Sequence, residues 1–282
     1  MILMQQYEWT NNLTDNLNFR IIPYIDITTE SYNNPICVLG MPGIADIGKF
    51  AVDQLIGILN AKRVCDIIFY DYPAGAIIDN SVLSIPKAEI LAYRDKRKQR
   101  DIILVTADAQ AMTPKGIYEI SDLISALLYR LGVNEIISLG ALPGKRNNDS
   151  MNIYVTKTED FEIEEFSPNN RCQKISKAVL IGANGLIPSL AYSRFSISGT
   201  VFLTETDKKP SISEGITDLK ASIQLLEFVA NYYKFPIEAV FSNKKVNDLS
   251  KDLEDKRKKL EKELDSYKPL EGKVEQDKTL YI

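Results

Sequence analysis

The sequence contains no histidine, and this absence removes several kinds of active site. Without an imidazole there is no side chain that ordinarily titrates near neutral pH, no Ser-His-Asp or Cys-His nucleophile system, and no zinc or non-haem iron site with histidine ligands. Lysine, tyrosine, aspartate, glutamate and cysteine remain available for chemistry. The absence of histidine therefore narrows the possible chemistry without excluding catalysis.

Cysteine is scarce, and long apolar runs are missing. Cys37, Cys65 and Cys172 are odd in number and far apart, so they predict neither a disulfide framework nor a CxxC metal pair. No run of about 18 apolar residues occurs, and the first residues lack the basic and apolar segments of a signal peptide. We therefore expect a cytoplasmic protein that does not span a membrane.

Charges of the two signs nearly balance. The 282 residues include 34 lysines and arginines and 38 aspartates and glutamates, which gives a formal net charge of −4. Coating nucleic acid requires a concentrated positive field, so this balance argues against nucleic acid as a partner, although a local basic patch stays compatible with it. With 45% hydrophobic residues, the composition is that of a globular protein with one large or two modest domains.

Predicted strands and helices alternate along most of the chain. The predicted strands are residues 35–40, 64–70, 101–107, 134–140, 152–156, 178–182 and 199–204, with a further strand near 19–22 and short hairpin pieces within 76–93. The predicted helices are residues 44–60, 114–131, 186–194 and 217–234. This alternation predicts an α/β fold, a three-layer α/β/α sandwich with a mostly parallel sheet.

The composition changes after residue 235. Apolar residues between Val246 and Tyr267 form a narrow seam in a highly charged, coiled-coil-like helix, which packs either on its own domain or on a partner helix. We expect four segments: an N-terminal extension (1–34), an α/β domain (35–235), the charged helix (236–267) and a flexible tail (268–282).

Residues 43–49 have the GxxxxGK spacing of a nucleotide-binding P-loop, between a predicted strand and a predicted helix. Two residues argue against that function. Phe50 stands where a P-loop has the Ser or Thr that binds Mg²⁺, and Asp46 would place a negative charge against the phosphates. Since the apolar stripe of the helix already includes Ile44, we expect Gly48 inside the helix, where it permits close packing.

Four carboxylates and one glycine-rich turn lie where α/β sheets usually bind ligands, near predicted strand ends. The carboxylates are Asp71, Asp79, Asp108 and Glu205, and their spacing defines no metal site or acid/base pair. The turn at residues 182–185 precedes a helix and has the position of an anion site, although a plain turn is the simpler interpretation.

The last three residues, Leu280, Tyr281 and Ile282, are suited to insertion into a pocket. A polar arm ends in an apolar side chain, a phenol and the chain carboxylate, each of which a pocket can bind. Fully extended at roughly 3.3 Å per residue, the arm from residue 268 reaches about 50 Å. One tripeptide buries little area, so useful affinity calls for several tails and hence a homo-oligomer.

Several segments together resemble the PAC2 family, the proteasome assembly chaperones. Residues 38–55 resemble its opening signature, a strand ending in Gly-x-Pro-Gly and a helix with a glycine in its first turns. Residues 131–141 resemble its central strand, 184–186 its Gly-Leu turn and 201–206 its late strand ending in Glu-Thr. The resemblance covers about residues 35–235 and implies an α/β/α sandwich similar to nucleoside phosphorylases and hydrolases.

The tripeptide Leu280-Tyr281-Ile282 is similar to the HbYX motif of archaeal members of that family and of proteasome activators. The resemblance implies a chaperone or adaptor, without catalysis or cofactor, whose tail enters pockets between α subunits of the 20S proteasome. There the terminal carboxylate would pair with a lysine. The sequence leaves open whether the protein assists assembly or engages the mature particle, and how many copies assemble. The alternatives are a nucleoside- or nucleotide-binding hydrolase with a strand-end pocket, and a scaffold whose charged helix recruits another partner.

Overall fold

The computed structural model describes residues 18–79, 81–97, 100–144, 152–166, 172–207 and 218–236. The strands in these ranges are β1 (Phe19–Pro23), β2 (Ile36–Gly40), β3 (Lys62–Phe69), β4 (Ile77–Asp79), β5 (Val82–Ser84), β6 (Ala88–Tyr93), β7 (Ile102–Ala107), β8 (Glu135–Gly144), β9 (Ile153–Lys157), β10 (Cys172–Lys174) and β11 (Ser198–Asp207). The α-helices are α1 (Ile47–Leu59), α2 (Pro114–Arg130), α3 (Ala183–Phe195) and α4 (Leu219–Tyr232). Strands β4 and β5 form a separate hairpin, and the other nine described strands form one sheet.

The sheet has the order β1-β3-β6-β7-β2-β8-β11-β9-β10. Its central strands β7, β2, β8 and β11 are parallel. Antiparallel pairs extend it to β1 on one side and to β9 on the other, where β10 adds a parallel edge. The α/β class is therefore confirmed, but the described sheet is mixed rather than mostly parallel. Short connections such as the one from β6 to β7 allow only antiparallel pairing, since parallel neighbours need a long crossover.

Helices cover both faces of the sheet. Every residue of β2 and of β7 is buried, as expected for strands covered on two sides. Helices α2 and α3 pack together on the face that bears Cys37 and Leu39. Helix α1 packs against β2 and β8 on the opposite face, which Val38 shares by strand alternation, and it also contacts α4. The layers follow the predicted α/β/α arrangement.

One predicted strand is wrong. Residues 178–182 carry no regular structure, and Val179 and Ile181 are 86% and 90% exposed. Both edges of β9 are already paired, with β11 and with β10, so this apolar run has no place beside it. An apolar run that ends in glycine is typical of a buried strand, but here it forms exposed surface.

Two edge elements refine the predictions. The strand expected near residues 19–22 is confirmed as β1, which pairs with β3 and so joins the sheet. Of the predicted hairpin pieces, β6 also joins the sheet, and β4 and β5 pair only with each other. The predicted charged helix (236–267) and tail (268–282) lie outside the described residues from residue 237 onward. No helix in the described ranges is long and apolar enough to cross a membrane.

Candidate functional site

The predicted site residues Leu280, Tyr281 and Ile282 lie outside the described residues. The structure therefore bears on the remaining candidates, which are the P-loop-like turn, the turn before α3, the strand-end carboxylates and the exposed apolar surface.

The P-loop-like segment packs a helix tightly against the sheet. A Cβ on Gly48 would lie 2.0 Å from the carbonyl oxygen of Leu139 in β8, and a Cβ on Gly40 would lie 2.1 Å from the carbonyl oxygen of Gly48. Lys49 Nζ is 3.0 Å from the carboxylate of Asp53, one helical turn further along α1. The packing interpretation is confirmed, because the two glycines bring α1 close to the sheet and the lysine pairs with a protein carboxylate.

The predicted turn 182–185 is the N-cap and first turn of α3, and side-chain amides engage its backbone or belong to it. Gln110 Oε1 accepts a hydrogen bond from the backbone N–H of Ala183 at 3.1 Å, and Gln110 Nε2 donates to the carbonyl of Pro42. Asn184 Oδ1 accepts from the backbone N–H of Met41 at 2.9 Å, and its Nδ2 donates to the Met41 carbonyl at 3.0 Å. These contacts fasten α3 to the loop after β2. They support a structural turn rather than an anion site.

Two of the strand-end carboxylates hold loops in place. Asp71 Oδ2 accepts hydrogen bonds from the backbone N–H and the hydroxyl of Thr113, at 2.9 and 2.8 Å. Asp108 Oδ2 accepts from the backbone N–H of Lys87 at 3.0 Å. Both carboxylates are therefore engaged in fixing the connections that precede α2 and β6.

A third strand-end carboxylate, Glu205, is bound to a tyrosine. Glu205 Oε1 accepts a hydrogen bond from the Tyr154 hydroxyl at 2.6 Å, and this bond raises the pKa of Tyr154. The side chain of Asp79 lies outside the described part of the chain. In the ranges that the structure covers, no group of three or more Cys, Asp or Glu side chains is placed to hold a metal ion.

Sequence reasoning missed a charge network on the outer strands β3 and β6. Asp66 and Glu89 are cross-strand neighbours, and Lys87 Nζ lies 2.6 Å from the first and 2.9 Å from the second. Arg63 adds a contact of 2.8 Å to Glu89, and the Tyr24 hydroxyl donates to Asp66 at 2.9 Å. Burial lowers the pKa of Lys87, but the two carboxylates outweigh that effect and raise it overall. Two cations balance two carboxylates, which is the pattern of a structural network.

An exposed apolar surface lies on the β4–β5 hairpin, which we call the apolar hairpin (residues 77–85). Ile78 and Leu83 are direct cross-strand partners, and they are 74% and 69% exposed. Val82 and Ile85 are also more than half exposed. Contiguous exposed apolar surface of this kind marks interaction sites in soluble proteins.

A second apolar surface is a groove of about 700 Å³ between α2, α3 and the segment 175–182, which we call the apolar groove. Its walls include Ile117, Leu180 and Leu186. Ile181 and Tyr118 lie on the rim of this groove, and both side chains are more than half exposed. The mispredicted strand 178–182 thus contributes to a surface feature that periodicity could not reveal.

The chain is similar to known proteins in sequence. A model of the PAC2 family matches residues 37–266. An uncharacterized protein of Methanocaldococcus jannaschii is 22% identical over 159 residues, an alignment that spans 56% of this chain and 60% of that protein, less than two thirds of its length.

Two crystal structures from Pyrococcus furiosus share the fold. PbaB, an archaeal proteasome activator, superimposes with a TM-score of 0.71 at 23% identity, covering 86% of this chain and 99% of PbaB. PbaA, an archaeal homolog of proteasome-assembly chaperone, gives a TM-score of 0.62 at 17% identity, covering 89% of this chain and 99% of PbaA. At these identities the likeness establishes the fold.

Proposed function

This chain belongs to the PAC2 family, and we propose that it binds the α ring of the 20S proteasome through Leu280, Tyr281 and Ile282, as an assembly chaperone or adaptor. The observation that carries the proposal is the coincidence of the family match with an HbYX-like tripeptide at the end of the same sequence. PbaB and PbaA, which share the fold, are a proteasome activator and an assembly-chaperone homolog. The roles of these two proteins support a proteasome-related role here.

Each part of the tripeptide has a physical task in this proposal. The Leu280 side chain fills an apolar pocket, the Tyr281 phenol combines ring burial with a hydrogen bond, and the Ile282 carboxylate pairs with a lysine between two α subunits. The surface area that one such tripeptide buries is small compared with a standard stable interface, which buries about 800 Å² per partner. Several tails of one homo-oligomer acting together supply the missing affinity.

The proposed role is non-catalytic and cytoplasmic, and it involves no cofactor, nucleic acid or membrane. Asp71, Asp108 and Glu205 each bind a loop or a tyrosine. The net charge of −4 is unsuited to coating nucleic acid. These observations favour a binding protein over the hydrolase alternative.

Pull-down of 20S proteasome tests the proposal with three chains. The native chain should capture the particle, and a chain lacking Leu280 to Ile282 should not. A third chain with one glycine added after Ile282 keeps every side chain but displaces the carboxylate, and it should also fail. Equal capture by the native and truncated chains would contradict the role of the tail.

Free α subunits, offered beside the assembled particle, address the kind of function. Capture of free α subunits supports an assembly chaperone, because assembly begins before the particle is complete. Capture of the assembled particle alone supports an adaptor or activator.

A further inference from the structure

A small cleft lies at the end of α4, beside the loop between β6 and β7. It is bordered by Arg97 and Arg100 of that loop and by residues 233–236, and we call it the arginine cleft. Its volume is about 40 Å³. One water molecule needs roughly 10–15 Å³ of such space, whereas sites that enclose whole ligands measure about 300–1,000 Å³. The arginine cleft therefore has room for one head group of the size of a carboxylate, and the rest of a ligand would stay at the surface.

Positive charge exceeds negative charge in the arginine cleft. Three cations border it, Arg97, Arg100 and Lys234, together with the carboxylate of Asp95. A second carboxylate, that of Glu135, lies 3.5 Å from Arg100 Nη1. Three cations and two carboxylates leave one positive charge. The side chain of Asp95 is 2% exposed, whereas those of Arg97 and Arg100 are 46% and 31% exposed, so the cations face the solvent.

Contacts within the protein hold both guanidinium groups in place and leave donors for a ligand. Arg97 Nε donates to both carboxylate oxygens of Asp95, at 3.1 and 3.2 Å, and Arg97 Nη2 donates to the Lys234 carbonyl at 3.3 Å. Arg100 donates to Glu135 through Nη1. Among the residues that the structure describes, Arg97 Nη1 and Arg100 Nη2 donate no hydrogen bond. The planar fork of a guanidinium matches a carboxylate, so an incoming carboxylate meets donors that are already positioned.

Aromatic rings flank these cations at the point where the described domain ends. The rings of Tyr233 and Phe235 stack with their centroids 5.9 Å apart. Arginine and aromatic side chains are both enriched where proteins contact each other. Pro236, which also lines the arginine cleft, precedes the segment that carries the proposed tail. A partner bound by the tail is therefore tethered to the chain beside this cleft, which raises the effective concentration of the partner there.

We propose that the arginine cleft binds an aspartate or glutamate side chain of an acidic protein segment, as a second contact beside the tail. The contact goes beyond the proposed function and rests on it only for the identity of the partner, the 20S proteasome. Nucleic acid is a poorer match, because a phosphate backbone needs a continuous positive field. This chain has a net charge of −4, and the cleft has room for a single head group.

A fluorescein-labelled peptide of six glutamates tests the contact, through its fluorescence anisotropy with the full chain and without proteasome. The native chain should bind this peptide, more weakly at about 200 mM than at about 50 mM salt, and should not bind a peptide of six glutamines. Arg100→Gln removes a guanidinium fork and should raise the dissociation constant about tenfold. Lys234→Gln removes one exposed charge and should raise it about two- to threefold. The control Lys220→Gln makes the same charge change at an exposed position in the first turn of α4 and should leave it unchanged.

Several results would overturn the proposal. They are no binding by the native chain, equal binding by the native and Arg100→Gln chains, and an equal loss in Arg100→Gln and Lys220→Gln. Tighter binding of a single-stranded thymidine oligonucleotide than of the peptide would also overturn it, since the cleft would then be a nucleic-acid contact. Urea titration shows whether Arg100→Gln is folded, and the exposed Lys234→Gln decides the test if it is not. A chain lacking Leu280 to Ile282 should bind the peptide as the native chain does, so failure of this contact and failure of the tail's role are distinguishable.

Discussion

Replacing Gly48 by alanine should push α1 away from the sheet. The added Cβ would lie 2.0 Å from the Leu139 carbonyl oxygen and 2.7 Å from its carbon. Ordinary van der Waals contact begins near 3.4 Å. Because the interior is closely packed and has no spare space, the helix and the strand would have to separate by more than about 1 Å. The obstacle is backbone, which cannot rotate away.

The expected cost exceeds the gain in helix propensity. Alanine is about 1 kcal/mol better than glycine inside a helix, whereas overpacking a core typically costs about 1–3 kcal/mol and occasionally more. With backbone as the obstacle, we take the upper end, about 3 kcal/mol. The free energy of unfolding of Gly48→Ala should therefore fall by about 2 kcal/mol.

A second glycine in the same helix provides a matched control. Gly57 is exposed, and a Cβ placed on it would meet no atom within 4 Å. Gly57→Ala should raise the free energy of unfolding by up to about 1 kcal/mol. Urea titrations followed by circular dichroism would measure both variants against the native chain. If Gly48→Ala proved as stabilising as Gly57→Ala, the close helix–strand approach, and with it our account of the P-loop-like segment, would be refuted.

Three further predictions concern the contacts around the sheet. Asn184→Ala removes both hydrogen bonds to the loop after β2 and should lower the free energy of unfolding by about 2 kcal/mol, measured by urea titration, and an unchanged value would contradict the fastening role. Lys87→Met removes one of the two cations of the network and leaves Arg63 as the remaining cation beside Asp66 and Glu89, so it should lower the free energy of unfolding by about 2 kcal/mol at pH 7. Folding raises the pKa of Lys87 above its ordinary value of 10.5, so the contribution of Lys87 to the free energy of unfolding is complete below pH 10.5. That contribution is lost as the pH rises through the pKa that Lys87 has in the folded chain. The difference in free energy of unfolding between the native and variant chains should therefore narrow only above pH 10.5. Burial raises the pKa of Cys65 to about 12 and of Cys172 to about 11, so both thiols should react slowly with a disulfide reagent at pH 8 and rapidly in urea, and fast labelling of the folded chain would contradict this.

Local sequence patterns predicted the central strands and helices, because the signals for these elements come from residues that are close together in the sequence. The continuous apolar runs of β2 and β7 indicate burial on both faces, and both strands are fully buried. Helix α2 begins at Pro114, and the Thr113 hydroxyl accepts from the backbone N–H of Gly116 at 3.0 Å, as its N-cap pattern predicts. The position of Gly48 inside α1 followed from the helical spacing of its apolar neighbours.

The outer parts of the sheet depend on pairings that local patterns do not contain. The neighbours Asp66 and Glu89 lie in separate strands, and only the register between β3 and β6 brings them to Lys87. The run 178–182 has a strand-like composition, yet the neighbouring edges are taken by β10 and β11. Apolar content alone could not distinguish a buried strand from an exposed segment.

The equilibrium affinity of the chain for 20S proteasome, measured before and after Tyr281→Ala, tests the proposed function most directly. The substitution lies at the centre of the tripeptide and leaves the described domain unchanged. Buried tyrosines are frequent hot spots, and truncating one costs about 2 kcal/mol or more, so the dissociation constant should rise by at least about thirtyfold. An unchanged dissociation constant would contradict binding through the tail.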